Sequence, residues 1–92
     1  MTDAKDGIIL IGKKNPKSYV LAVITLLTQG AQKIVLKARG KSISTAVDVA
    51  EMVRNKFAKD LKVEDIKIAT EELNNEDGSV VRVSAIEITL GK

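Results

Sequence analysis

The sequence predicts an α+β fold of order βαβαββ. This is a two-layer sandwich with a mixed four-stranded sheet, both helices on one face, and a long projecting hairpin of the last two strands. Three observations lead there. Two short strand-like runs, Ile8-Ile9-Leu10-Ile11 and Lys33–Arg39, are each followed by apolar residues at helical spacing. Right-handed crossovers then bring both helices to one side of the sheet. Finally, the turn-rich Asn74-Asn75-Glu76-Asp77-Gly78 separates two extended segments that are too long for a small core to cover.

Each element has its own justification. Gly7-Ile8-Ile9-Leu10-Ile11-Gly12 is an apolar run bounded by glycines, the pattern of a strand buried on both faces. Asn15 is a good helix cap and Pro16 fits the first helical position, where its missing N–H costs nothing. Tyr19, Val20, Val23, Ile24 and Leu27 follow at helical spacing until Gly30 stops the helix. In Lys33–Arg39, Ile34, Leu36 and Ala38 point one way and Lys33, Val35, Lys37 and Arg39 the other, so this strand is half buried. Gly40-Lys41-Ser42 turns the chain into a second helix, with Ser42 or Ser44 as its cap and Asp48 near its positive end. Its stripe of Ile43, Ala46, Val47, Ala50, Val53 and Phe57 runs out near Lys59 and Asp60.

Ile66 and Ile68 share a face of the third strand, and the fourth runs from about Val80 to Leu90. From Ile66 to Asp77 the chain spans roughly 12 residues, or about 40 Å when extended, against about 5 or 6 residues for an ordinary strand. The hairpin therefore overhangs the core as a two-stranded arm. Ile86, Ile88 and Leu90 give its base a buried face, whereas residues 80–83 show no consistent inside. A bulge near Ser84 is the alternative.

A chain of 92 residues fits one domain, residues 1–92, with 1–6 read as a disordered tail. The longest apolar runs fall far short of the roughly 20 residues needed to cross a bilayer, and the start of the chain is not a secretory signal. A cytoplasmic protein with no membrane partner is expected. With neither Cys nor His, the chain can offer no disulfide, thiolate nucleophile, imidazole base or Cys/His zinc site. Glu71-Glu72 and Glu76-Asp77 are close carboxylate pairs, and neither forms a dyad in a cleft. No catalytic residues, no metal, no cofactor and no enzymatic activity are expected. Gly7 to Lys13 matches the spacing of a phosphate loop, but its interior is a strand core and Lys14 replaces the magnesium-binding hydroxyl.

The net charge of +3 is segregated along the chain. Residues 7–47 carry Lys13, Lys14, Lys17, Lys33, Lys37, Arg39 and Lys41 and no acid, whereas residues 48–92 carry seven bases and ten acids. A concentrated cationic face suits a polyanion. Lys13, Lys14 and Lys17 lie between the first strand and helix, and Arg39 and Lys41 between the second strand and helix. In parallel βα units both connections emerge at the carboxyl edge, so these five cations should share one rim with two helix N-termini. Tyr19 and Phe57, the only aromatics, are too few for a base-stacking platform and are read as packing residues. Phe57, at a helix end, also suits a subunit contact.

The residues carry a resemblance. Ile11-Gly12-Lys13-Lys14, Ser18-Tyr19-Val20-Leu21-Ala22, Lys37-Ala38-Arg39-Gly40-Lys41-Ser42-Ile43-Ser44, Val53-Arg54-Asn55-Lys56-Phe57 and Ile86-Glu87-Ile88 resemble the Alba family of small archaeal chromatin proteins. The resemblance implies a homodimer that binds double-stranded DNA with little sequence preference, coats or bridges it on the chromosome, and also binds RNA. An RNA-binding ribonucleoprotein subunit or RNA chaperone is the alternative. It further implies phosphate contacts by Lys13, Lys14, Arg39 and Lys41, and acetylation at Lys13, with an acetyltransferase and a deacetylase as partners. Phe57 would make a dimer–dimer contact, and the arm, with Arg82 as its nearby cation, would reach along the minor groove. Two departures stand out. Asn15 intervenes between the lysine pair and Pro16, and the arm tip carries Glu76 and Asp77.

Overall fold

A computed structural model describes residues 6–92. The expected tail falls outside the described residues except for Asp6, which opens the first strand. In chain order the elements are β1 (Asp6–Ile11), α1 (Pro16–Thr28), β2 (Lys33–Arg39), a 3₁₀ turn (Gly40–Ser42), α2 (Ile43–Met52), a π-helical turn (Val53–Phe57), β3 (Lys62–Asn74) and β4 (Val80–Gly91). The strands lie in the order β1-β2-β4-β3, with β1 parallel to β2 and β4 antiparallel to both β2 and β3. This is the expected α+β architecture.

The core lies between one sheet face and the two helices. Ile9 and Ile11 of β1, Ile34, Leu36 and Ala38 of β2, and Ile86, Ile88 and Leu90 of β4 meet Val20 and Val23 of α1, Ala46, Val49 and Ala50 of α2, and Val53. Ile34, Leu36 and Leu90 are fully buried, each worth about 1.5–3 kcal/mol as area removed from water. The start of α1 matches its sequence: Asn15 Oδ1 accepts from the Lys17 N–H at 2.9 Å, and Pro16 takes the first position.

Three expectations are corrected. β1 is buried on one face only, since Ile8 and Leu10 remain 62% and 72% exposed. With both helices on the same side, nothing covers the opposite face of this edge strand. Ser42 precedes α2 but makes no capping bond, because its φ of −83° and ψ of −5° are already helical, whereas a capping side chain needs an extended backbone. The α-helical pattern also stops at Met52 and continues as a π-helical turn, so the stripe ending at Phe57 spans two helical forms. Ile66 and Ile68 share a face as expected, on the helix side of the sheet opposite Ile88 and Ile86, and are 55% and 81% exposed because the helical layer does not extend over β3.

The projecting arm is present. β3 begins at Lys62, four residues before Ile66, and pairs with β4 through Asn74↔Val80. The register shift lies between Val63 and Asp65; pairing at Thr70↔Ser84 is regular, so there is no bulge near Ser84. Since Arg39 pairs with Ala85, residues 80–84 of β4 run past the end of β2. With their β3 partners they form the arm, about 17 Å long at 3.4 Å per residue, and the molecule measures 44 × 30 × 22 Å.

Candidate nucleic-acid interface

Register decides where the basic turns go. Ile11 pairs with Ala38 in the parallel ladder, so β1 and β2 end side by side, about 4.8 Å apart. The Gly12–Asn15 turn and the Gly40–Ser42 turn therefore leave the same sheet edge, one leading into α1 and the other into α2. Lys13, Lys14, Lys17 and Lys41 are all exposed at this edge. Gly40 adopts φ +53°, a left-handed conformation that glycine takes without the steric cost of a Cβ. The arm leaves from the same edge, since it continues β4 beyond Arg39.

The first turn is also anchored from below. The hydroxyl of Tyr19 accepts hydrogen bonds from the Gly12 N–H at 2.8 Å and the Lys14 N–H at 3.0 Å. Tyr19 is 8% exposed, with its ring in the core. Sequence reasoning treated it as a packing residue and missed this role. The available signal was the choice of Tyr over Phe at a buried position, since a buried phenol needs a polar partner.

Ion pairs divide the basic segment into two groups. On the open sheet face, Lys33 meets Glu64 at 3.6 Å, Lys37 meets Glu87 at 3.7 Å, and Arg39 Nε meets Glu71 Oε1 at 2.7 Å. Each cation comes from β2 and each acid from β3 or β4. Among the described residues, no carboxylate lies within 4.0 Å of Lys13, Lys14, Lys17 or Lys41. Within residues 7–47, the cations without a carboxylate partner among the described residues are thus those on or beside the two turns.

The remaining expected residues lie elsewhere. Arg82 is on the arm, paired with its cross-strand neighbour Glu72 at 3.3 Å. The arm bears Glu71, Glu72, Glu76 and Asp77 against this one arginine. At its tip, the Ser79 hydroxyl and backbone N–H both donate to Asp77 Oδ1 and hold that carboxyl below its ordinary pKa. Phe57 ends the π-helical turn, about 20 Å along the helix from the rim, and is 58% exposed. No group of three or more metal-ligating side chains occurs among the described residues, and no helix there is long and apolar enough to cross a membrane.

A family model named Alba matches residues 7–70, which include both basic turns and Phe57 but not Arg82. The chain belongs to the Alba family. It is 55% identical over 89 residues to the DNA/RNA-binding protein Alba of Thermoplasma acidophilum, covering 97% of this chain and 99% of that relative. It is 51% identical, with the same coverage, to the protein of that name from Methanothrix thermoacetophila. Among solved structures, Alba from Thermoplasma volcanium superposes with a TM-score of 0.87 at 54% identity, covering 92% of this chain and 99% of that one. The Alba fold thus extends through the arm-bearing half of the sheet, beyond the span of the family model.

Proposed function

We propose that this Alba-family chain is a chromatin protein that binds double-stranded DNA with little sequence preference and coats, bridges or compacts it. Phosphates rest across the two turns, with Lys13, Lys14, Lys17 and Lys41 neutralising them. Arg39 and Arg82 join after leaving their carboxylates. The observation that carries this reading is the Ile11↔Ala38 register, which sets the two acid-free basic turns side by side. Phosphate contacts position a protein on the duplex without reading its sequence. The relatives' name supports the reading.

That name also favours RNA as a second ligand, because the same rim suits any phosphate backbone, including an A-form helix. Competition between duplex DNA and structured RNA at fixed salt ranks the two. Strong preference for RNA would make the chain a ribonucleoprotein subunit or RNA chaperone.

The working unit is a homodimer. Ile66 and Ile68 offer an apolar strip beside the helical layer, continuous with a groove lined by Ile43, Ala69, Thr70 and Ser84. Phe57 serves contacts between dimers on DNA. Acetylation of Lys13 by an acetyltransferase, reversed by a deacetylase, weakens binding by removing one cation. The protein acts as a single domain, residues 1–92, on the chromosome in the cytoplasm, with no enzymatic activity.

The deciding test is affinity for duplexes of several sequences over a salt series. The wild type should lose affinity steeply with salt. Lys13→Ala with Lys14→Ala should lower affinity for all sequences alike and reduce the log–log slope by about 0.9 for each phosphate no longer neutralised. A weakening confined to one sequence would overturn the reading.

A further inference from the structure

Tyr19 is the one described side chain whose polar atom is bonded to the backbone of the lysine turn, and the charge argument above makes no use of it. Its ring belongs to the buried core cluster, so the hydroxyl is held in place by the core. Two N–H groups two residues apart, those of Gly12 and Lys14, converge on that one oxygen. Both lone pairs are thereby used, and the backbone on either side of Lys13 is tied to a rigid point. At the far end of the turn, Asn15 caps α1 through the Lys17 N–H, and its carbonyl accepts from the Ser18 N–H at 2.9 Å. The lysine pair thus stands on a short backbone bridge clamped at both ends.

We propose that Tyr19 is a positioning residue for phosphate binding, setting affinity by pre-ordering the Lys13–Lys14 turn while adding no charge. The inference rests on the rim being the nucleic-acid surface. A turn already in its bound form does not lose freedom on association, so the same cations bind more tightly when it is held. Lysine substitutions and a phenol substitution should therefore leave different signatures. Removing a cation lowers both affinity and the number of counterions released. Removing the hydroxyl lowers affinity alone.

Tyr19→Phe keeps the ring in the core and deletes the two bonds. Duplex affinity, measured over a salt series well below the melting temperature, should fall roughly three- to tenfold at every salt, with the log–log slope unchanged. The line should be displaced parallel to that of the wild type. In the unliganded wild type, the Gly12 and Lys14 amides should exchange with solvent more slowly than the Lys13 amide, and Tyr19→Phe should abolish the difference. Wild-type affinity in a folded Tyr19→Phe variant, or a flattened slope, overturns the inference. So does fast exchange of both amides in the wild type, which decides the matter even if the variant fails to fold. Failure of the underlying reading is separately visible, since wild-type binding would then be insensitive to salt and to Lys13→Ala with Lys14→Ala.

Discussion

The guanidinium of Arg39 reaches across β4 to the carboxylate of Glu71 on β3, Nε to Oε1 at 2.7 Å. Ala85, the β4 partner of Arg39, leaves the path open because its side chain is a single methyl. The contact joins the end of the sheet body to the base of the arm. With both side chains about half exposed, it contributes at most about 1 kcal/mol to stability. On the proposed DNA-binding reading its larger effect falls on binding, because a phosphate approaching Arg39 would share it with the Glu71 carboxylate.

Replacing that anion should therefore strengthen binding. Glu71→Gln keeps an acceptor for Nε and removes the charge, so duplex affinity should rise about three- to tenfold and the salt slope should steepen by up to about 0.9. Equilibrium binding over a salt series checks this. Unchanged values would mean that Arg39 does not meet phosphate.

Lys13→Gln imitates acetylation by removing one cation. The salt slope should fall by about 0.9 while Lys13→Arg stays near wild type. Equal slopes for the two variants would place Lys13 off the phosphate path.

Ile68→Asp puts a charge in the apolar strip beside α2. If that strip joins two copies, sedimentation should show a monomer with an unchanged circular-dichroism spectrum, because Ile68 is 81% exposed within one chain. A persistent dimer would move the contact to another face.

The sequence was most informative where period and turn chemistry agree. The alternation Ile34, Leu36, Ala38 and the Asn15-Pro16 start both correspond to the structure, as does the overhanging hairpin. The burial of β1 was misjudged because an edge strand under one helical layer and a central strand under two can carry the same Ile-Ile-Leu-Ile run. The convergence of the basic turns was legible because parallel βα units place their connections at one edge. The Arg39–Glu71 and Arg82–Glu72 pairs were not, since they depend on a β3–β4 register that no local pattern specifies. Ser42 misled because a 3₁₀ turn ahead of α2 had already taken its backbone out of capping geometry.

Leu36→Ala empties a fully buried site at the centre of β2 and should cost about 2–5 kcal/mol, whereas Gly40→Ala, forced to hold φ +53°, should cost about 1–2 kcal/mol. Urea midpoints at constant m-value separate them. A neutral Gly40→Ala would show that the second basic turn can relax.

Asp77 predicts a pH response at the arm tip. Bonds from the Ser79 hydroxyl and then its backbone N–H depress the folded pKa, so their contribution is complete above the unfolded value and vanishes as pH falls through the lower, folded one. The Ser79 amide resonance should shift with that low midpoint, and Asp77→Asn should abolish the titration. A midpoint at the ordinary aspartate value would contradict the bonded turn.

Residues 70–74 and 80–84 contribute no member to the buried core cluster. Substitutions there remove nothing from the buried core. An evolving lineage can lengthen, shorten or recharge this finger without endangering the body that carries it. Two cousins with the same lysine rim could then differ widely in how they grip one polymer. In this chain the finger is acidic, with four carboxylates against one arginine, while Lys13, Lys14 and Lys41 sit on the palm.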